Sequence, residues 1–290
     1  YNKELNDKED YCIYTDTDSV FYQAAPLVKA RNPELNEDSD EEMIPAILSA
    51  AKEVEQHING MYDIMSKKLF NIDTHRFDIK QEVIAKSGLF VTKKRYGLKI
   101  INDNGKKVNK MMVKGLDTVR SSFPTAMRDM LSKLLEDILM DVPKEKLDKF
   151  IINFKNSMRL MEVDKISIPT GVKNIGKYID KDRKMFSEYK KGTPVHVKSA
   201  IAYNDLLKHY NQDKRYEKIS NGSKVKWVYL KNNNLGLDTV AYKGYEDPPE
   251  IMNFIRDFIN PSKLYKQALE KKIMMFYEAL GWDEPTDATK

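Results

Sequence analysis

The chain has 290 residues, 41% of them hydrophobic and 32% charged. At about 150 residues per domain that suggests two domains, too apolar for a disordered chain and too charged for a membrane-embedded one. No apolar run approaches the roughly 18–20 residues of a membrane span, YNKELNDKEDY has no apolar signal-peptide core, and the single Cys12 excludes an internal disulfide or a cysteine-built metal cage and fits a reducing compartment. The net charge of +5 is uneven: residues 1–63 carry five Lys/Arg against fifteen Asp/Glu, and residues 64–115 carry thirteen against four, the pattern of a cation-binding centre beside a polyanion track.

Tyr11–Tyr14 and Ser19–Tyr22 are short β-favouring runs joined by a polar tip, which predicts a hairpin. Residues 29–42 read as a surface loop. Ser39 or Asp40 then opens a long helix, with Glu42 placed for a capping box and Pro45 in its first turn, where proline is tolerated. Its apolar residues, from Met43 and Ile44 through Met61, Met65 and Leu69, recur at spacings of three and four, so the helix should lie against something flat. The period then changes. Phe77, Ile79, Val83 and Ala85 predict one strand, Leu89–Val91 and Tyr96–Ile101 two more, and Val108–Val113 another after the Asn102–Gly105 turn. Beyond Gly115 helical spacing dominates: around 126–139, 147–161, 198–210, 251–258 and 263–280, with a strand pair at 225–230 and 239–242. The fold class is therefore α+β: an antiparallel sheet backed by a long helix over 1–115, then a mainly helical domain over 116–290. The Met-rich and aromatic helix faces, with Trp227 and Trp282, are core.

YTDTDS at 14–19 sets Asp16 and Asp18 where one strand turns into the next. Carboxylates at a stiff turn suit hard Mg²⁺, and phosphoryl transfer needs fixed metals more than protein nucleophiles. An ordinary Asp-rich turn has the same look. Between Lys86 and Lys114 nine Lys/Arg face a single acid, Asp103. Such residues would neutralise a phosphate backbone, position a duplex without reading its sequence and make binding strongly salt-dependent; a solvated lysine-rich sheet face is the plain alternative.

On these two motifs the chain resembles the family B DNA polymerases. YTDTDS is similar to their third palm motif, Y-G-D-T-D-S, with Thr15 replacing glycine, and KKRY at 93–96 to their K-x-Y or KKRY motif, at a family-like spacing. The resemblance implies that Asp18 binds the two catalytic Mg²⁺ ions, that Asp16 tunes their geometry, and that Lys93, Lys94, Arg95 and Tyr96 lie along the new duplex, with Lys94 reaching toward the primer end. VKGLDTVRSSFP at 113–124 looks like the palm–thumb junction of T-even-type phage polymerases, and GVKNIGKY at 171–178 and GTPVHVKSAIAYN at 192–204 look like thumb segments. That makes Lys173, Asn174, Lys177, His196 and Lys198 candidate phosphate or sugar contacts, with His196 equally readable as a structural histidine.

The implied partners are primer–template DNA, deoxynucleoside triphosphates and the remaining part of the polymerase in cis or trans, in the cytoplasm of an infected bacterial host. A sliding clamp is a further implied partner, although the ending DEPTDATK holds no aromatic anchor for it. The sequence has no match to the first palm motif D-x-x-S-L-Y-P-S, which carries the other metal-binding aspartate, nor to the fingers motif K-x-x-x-N-S-x-Y-G. With the Tyr1 start, this leads to the expectation of a fragment or split subunit with little polymerase activity alone. Two rival readings exist. A HAD-type phosphatase would use Asp16 as nucleophile and Asp18 as acid/base, but its fold needs repeated βαβ units. A non-catalytic duplex-binding module would leave the acids idle.

Overall fold

The computed structural model describes residues 2–180 and 182–286. The fold is α+β, and the residues divide into two compact units: 1–88 with 97–112, and 89–96 with 113–290. The tip of one hairpin is thus counted with the second unit, which a single cut near 115 does not express. Residues 287–290 of the DEPTDATK tail lie outside the described residues.

The first unit begins with a one-turn helix, α1 (Asn2–Leu5), and the antiparallel hairpin β1 (Cys12–Asp16) and β2 (Ser19–Tyr22). A short helix α2 (Ala25–Arg31) follows and takes up the first residues of the expected loop. Seven residues are too few to show a helical period. Pro26 sits at the helix start, where its missing N–H costs nothing, and Leu27 and Val28 are buried against Met43 and Ala50 of the next helix.

That helix, α3 (Asp40–Phe70), has Ser39 as N-cap and Asn71 as a left-handed C-cap at φ 54°. The expected capping box does not form, because the Glu42 carboxylate accepts the Asn36 N–H (3.0 Å) instead. Pro45 falls in the second turn rather than the first, because the helix opens only at Asp40, and without an N–H it cannot donate to the Glu41 carbonyl. Ile44 packs on Ile84 and Ile101, which sets the amino-terminal half of α3 on a three-stranded sheet of β3 (Val83–Thr92), β4 (Arg95–Asp103) and β5 (Lys106–Lys114), in that order.

The carboxyl-terminal half of α3 departs from the expectation of one continuous buried stripe: Met61, Met65 and Leu69 are 45–65% exposed. Length explains this. Thirty-one residues at ~1.5 Å each give a rod of about 46 Å, while the ten residues of β3, the longest strand of the sheet, span only about 33 Å.

The first half of the strand expected from Phe77 to Ala85 is instead part of an irregular strap over 72–82, tied to α3 by side chains. Asn59 Nδ2 donates to the Ile79 carbonyl (2.8 Å), the Glu55 carboxylate accepts the Gln81 N–H (2.9 Å), and the Asp63 carboxylate accepts the His75 N–H (3.0 Å). With its backbone groups satisfied this way the segment needs no partner strand. The second half of that expected strand, with the strand expected at Leu89–Val91, forms one ten-residue strand, β3.

In the second unit most helices start directly after a proline: α4 (Thr125–Leu139) after Pro124, α5 (Lys144–Ser157) after Pro143, then the one-turn α6 (Val163–Ile166), then α7 (Val195–His209) after Pro194 and α8 (Pro249–Phe258) after Pro248. Proline fixes φ near the value an extended cap needs and cannot continue a helix backward. An antiparallel sheet of β6 (Ile168–Gly171), β7 (Lys224–Tyr229) and β8 (Thr239–Tyr242) packs against α7, whose residues Val197 to Leu207 are mostly buried. The chain closes with α9 (Pro261–Leu264), a π-helical stretch over Tyr265–Glu270 and α10 (Lys271–Ala279).

Candidate functional site

Asp16 and Asp18 stand at the β1–β2 tip, Asp16 half-buried and Asp18 exposed. The turn is tight: the Asp18 N–H donates to the Asp16 carbonyl at 2.6 Å across Thr17, which is held at φ 52°. A hydrogen bond over three residues with positive φ at the centre is the strained form of the γ-turn, and a β-branched residue there is an outlier. The tip adds its own bonds. Thr17 Oγ1 donates to Asp16 Oδ1 (3.1 Å), the Tyr14 hydroxyl reaches Asp16 Oδ2 (3.5 Å), and Ser19 Oγ donates to the Asp16 carbonyl (3.2 Å). The Asp16 carboxylate is oriented from both sides, and that of Asp18 faces solvent.

Among the described residues no group of three His, Cys, Asp or Glu side chains could hold a metal ion. The tip brings together two carboxylates, Asp16 and Asp18. They fit Mg²⁺, which takes one or two protein carboxylates and completes its octahedron with water and substrate phosphate.

The second motif is also a tip. Lys93 and Lys94 form the two-residue turn between β3 and β4, both exposed, with Lys94 at φ 61°. Tyr96 stacks on Phe90 across the hairpin (centroids 5.3 Å apart). The turn rests on Gly115, where an added Cβ would fall 2.2 Å from the Lys94 carbonyl oxygen; Gly115 itself lies at φ +66°. Glycine alone meets both demands. Arg95, read from sequence as a DNA contact, points back into its own unit: Nη2 donates to Asp117 Oδ2 (3.1 Å) and Nε to the Gly115 carbonyl (3.2 Å). Other members of the basic run are occupied as well, since Lys86 pairs with Asp40 (2.9 Å), Lys107 with Glu41 and Lys110 with Asp103. The nine positive charges counted in sequence overstate what a phosphate backbone would meet.

Lys173, Asn174 and Lys177 are exposed on one turn, in which Asn174 takes φ 56° and its N–H donates to Asn221 Oδ1. That turn runs into the 3₁₀ segment Ile175–Tyr178, which packs against α7. The first turn of α7 carries half-buried His196 and Lys198, the latter with its ammonium 5.7 Å from the Tyr189 ring centre. Burial pushes the His196 imidazole below its ordinary pKa, so near neutral pH it offers hydrogen bonding rather than charge.

The sequence model of DNA polymerase family B matches residues 2–280. The chain belongs to DNA polymerase family B. No curated protein matches it. Family B membership carries DNA-directed nucleotidyl transfer in DNA replication as the general activity, primer–template DNA and deoxynucleoside triphosphates as its ligands, and Mg²⁺ as its usual metal. The phosphatase and the idle binding module lose their footing, the former also because the polymerase chain's sheets are antiparallel where repeated βαβ units would make them parallel. Among the described residues no helix is long and apolar enough to cross a membrane. One polymerase residue that sequence reading passed over is Asp117, a 7% exposed carboxylate between Arg95 and Lys272.

Proposed function

We propose that this chain is the carboxyl-terminal palm and thumb of a family B DNA polymerase of the T-even phage type, with the palm part over 1–115 and the thumb over 116–290. The observation that carries this is the family match across 2–280 on a chain whose two signature motifs each occupy a hairpin tip. Asp18, exposed and held by the tight turn, and Asp16, oriented by Tyr14 and Thr17, would hold two Mg²⁺ ions together with a carboxylate from outside this chain. Bound there, Mg²⁺ would lower the pKa of the primer 3′-hydroxyl and neutralise the triphosphate. Lys94 would orient the primer end and Lys93 would hold the adjacent backbone. Lys173, Asn174, Lys177, His196 and Lys198 would grip the duplex further back, contributing affinity without sequence readout.

The test has two parts. The isolated chain should bind a primer–template duplex with affinity that falls steeply with salt, and should not extend it with Mg²⁺ and nucleotides. A second polypeptide carrying the first palm motif and the fingers motif should restore extension, which Asp18→Ala should abolish while duplex affinity holds. Efficient extension by the isolated chain, or restored extension that survives Asp18→Ala, would overturn the proposal.

A further inference from the structure

Lys93 and Lys94 are exposed, their turn is seated on Gly115, and one carboxylate ties Gly115 to the neighbouring Arg95. Asp117 opens the 3₁₀ turn Asp117–Val119, with only Leu116 between it and Gly115, and is buried at 7% exposure. Its Oδ2 takes Arg95 Nη2 (3.1 Å) and Lys272 Nζ (3.0 Å), and its Oδ1 faces Arg120 Nη1 (3.4 Å). Arg95 continues the chain of contacts, with Nε on the Gly115 carbonyl and Nη1 on Met275 Sδ (3.7 Å). Arg120 Nη2 reaches the same Gly115 carbonyl at 3.5 Å. Gly115 in turn seats the Lys94 carbonyl in the space a Cβ would fill. Three cations converge on one buried anion, and the residue next to Lys94 is the one that links that anion to the tip. Without the carboxylate the three cations would repel one another, and Arg95, the least exposed of them at 25% against 31% for Lys272 and 54% for Arg120, would be the cation left with least water to offset the lost partner.

We propose that Asp117 is the positioning residue of the lysine tip: by clamping Arg95 against Gly115 and α10 it holds Lys93 and Lys94 in the one orientation in which they meet a duplex backbone. This rests on the reading that the tip contacts DNA, and it assigns Arg95 to the brace rather than to the phosphate.

The test uses the full chain and a primer–template duplex, with binding followed by fluorescence anisotropy across a salt series and folding followed by circular dichroism. Asp117→Asn should weaken binding about tenfold, the scale of one lost charge-assisted contact, at a temperature where the variant is fully folded. Asp117→Glu should recover most of that loss. Lys94→Ala should weaken binding in the parent chain and have much less effect in the Asp117→Asn background, the non-additivity expected of one unit. If Asp117→Asn does not fold, Arg95→Lys carries the test, since it keeps the ion pair and loses the arm to Gly115; it should weaken binding severalfold and reduce the Lys94→Ala effect. If the lysine substitutions weaken binding while Asp117→Asn and Arg95→Lys bind as the parent does, this proposal fails and the functional reading stands. If Lys93→Ala and Lys94→Ala leave binding unchanged, the DNA role of the tip fails and takes this proposal with it.

Discussion

Gly115→Ala separates two costs that glycine usually hides together. Gly115 sits at φ +66° with its missing Cβ site 2.2 Å from the Lys94 carbonyl oxygen, whereas Gly192, in the same compact unit, sits at φ +82° with nothing within 4 Å. An alanine at Gly192 meets only the left-handed backbone penalty, about 1–2 kcal/mol. At Gly115 the same penalty is joined by an overlap with backbone, which cannot swing aside as a side-chain end could. Overpacking of this kind costs a further ~1–3 kcal/mol, for a total near 3 kcal/mol. Differential scanning calorimetry should show Gly192→Ala lowering the melting temperature of the second unit by about 2–8 °C and Gly115→Ala by about 6–12 °C, at ~2–4 °C per kcal/mol for a unit of this size. Equal losses for the two variants would refute the argument that the lysine tip is seated on the Gly115 backbone.

Three more predictions follow from buried or strained groups. Asp148, 4% exposed, accepts the Tyr277 hydroxyl (2.7 Å), Lys144 Nζ (2.8 Å) and the Thr286 N–H (3.2 Å); Asp148→Asn should cost about 2–3 kcal/mol in urea unfolding at pH 7. Burial pushes the Asp148 carboxyl up, but the hydrogen bonds from Lys144, Tyr277 and Thr286 outweigh it and leave the pKa below the ordinary value. Its ionised contribution is therefore complete above an unfolded value of about 4 and fades as pH falls through the lower folded value, so the gap between parent and Asp148→Asn should narrow only below about pH 4; a gap that is constant with pH counts against this. Arg183 Nη1 meets both oxygens of Asp205 (2.9 and 3.2 Å), each side chain under a tenth exposed, so Arg183→Met, which strands a buried carboxylate, should cost about 3–5 kcal/mol, and a loss under 1 kcal/mol in the same assay would contradict the buried pair. Thr17→Gly should leave stability unchanged or raise it by up to about 1 kcal/mol, because release of the left-handed penalty outweighs glycine's extra chain entropy; a clear thermal destabilisation would speak against the strained turn.

The elements legible in the sequence are those with long, clean periods or strong punctuation: the β1–β2 hairpin around TDTD, α3, α4, α7 and the β7–β8 pair. What stayed hidden had its cause elsewhere in the chain. The strap over 72–82 has strand-like apolar spacing, but its hydrogen bonds go to Asn59, Glu55 and Asp63 on α3, partners that no local pattern announces. Strand β6 contains Pro169, which argues against a strand except at a sheet edge, and the edge is where it lies, opposite Lys226. The π-helical stretch over Tyr265–Glu270 keeps helical spacing on either side and leaves no compositional mark. At the candidate site the hairpin-tip positions of the acids and lysines were legible because each motif is contiguous and flanked by strand-like runs. The roles of Arg95 and Asp117 were not, since a lone arginine in a basic run looks like a phosphate contact until its anion, supplied from beyond β5, is placed beside it.

Helix α3 is one rod with two environments. Its first half buries Met43, Ile44, Ala50 and Ala51; its second half meets the protein through side-chain ties to the strap and leaves Ile64 about half, and Leu69 and Phe70 about two-thirds, in water. Amide protons along a single unbroken helix should therefore exchange on two different clocks, slow up to about residue 51 and progressively faster toward Asn71, because an end that is held by few contacts can unwind without the rest of the molecule opening.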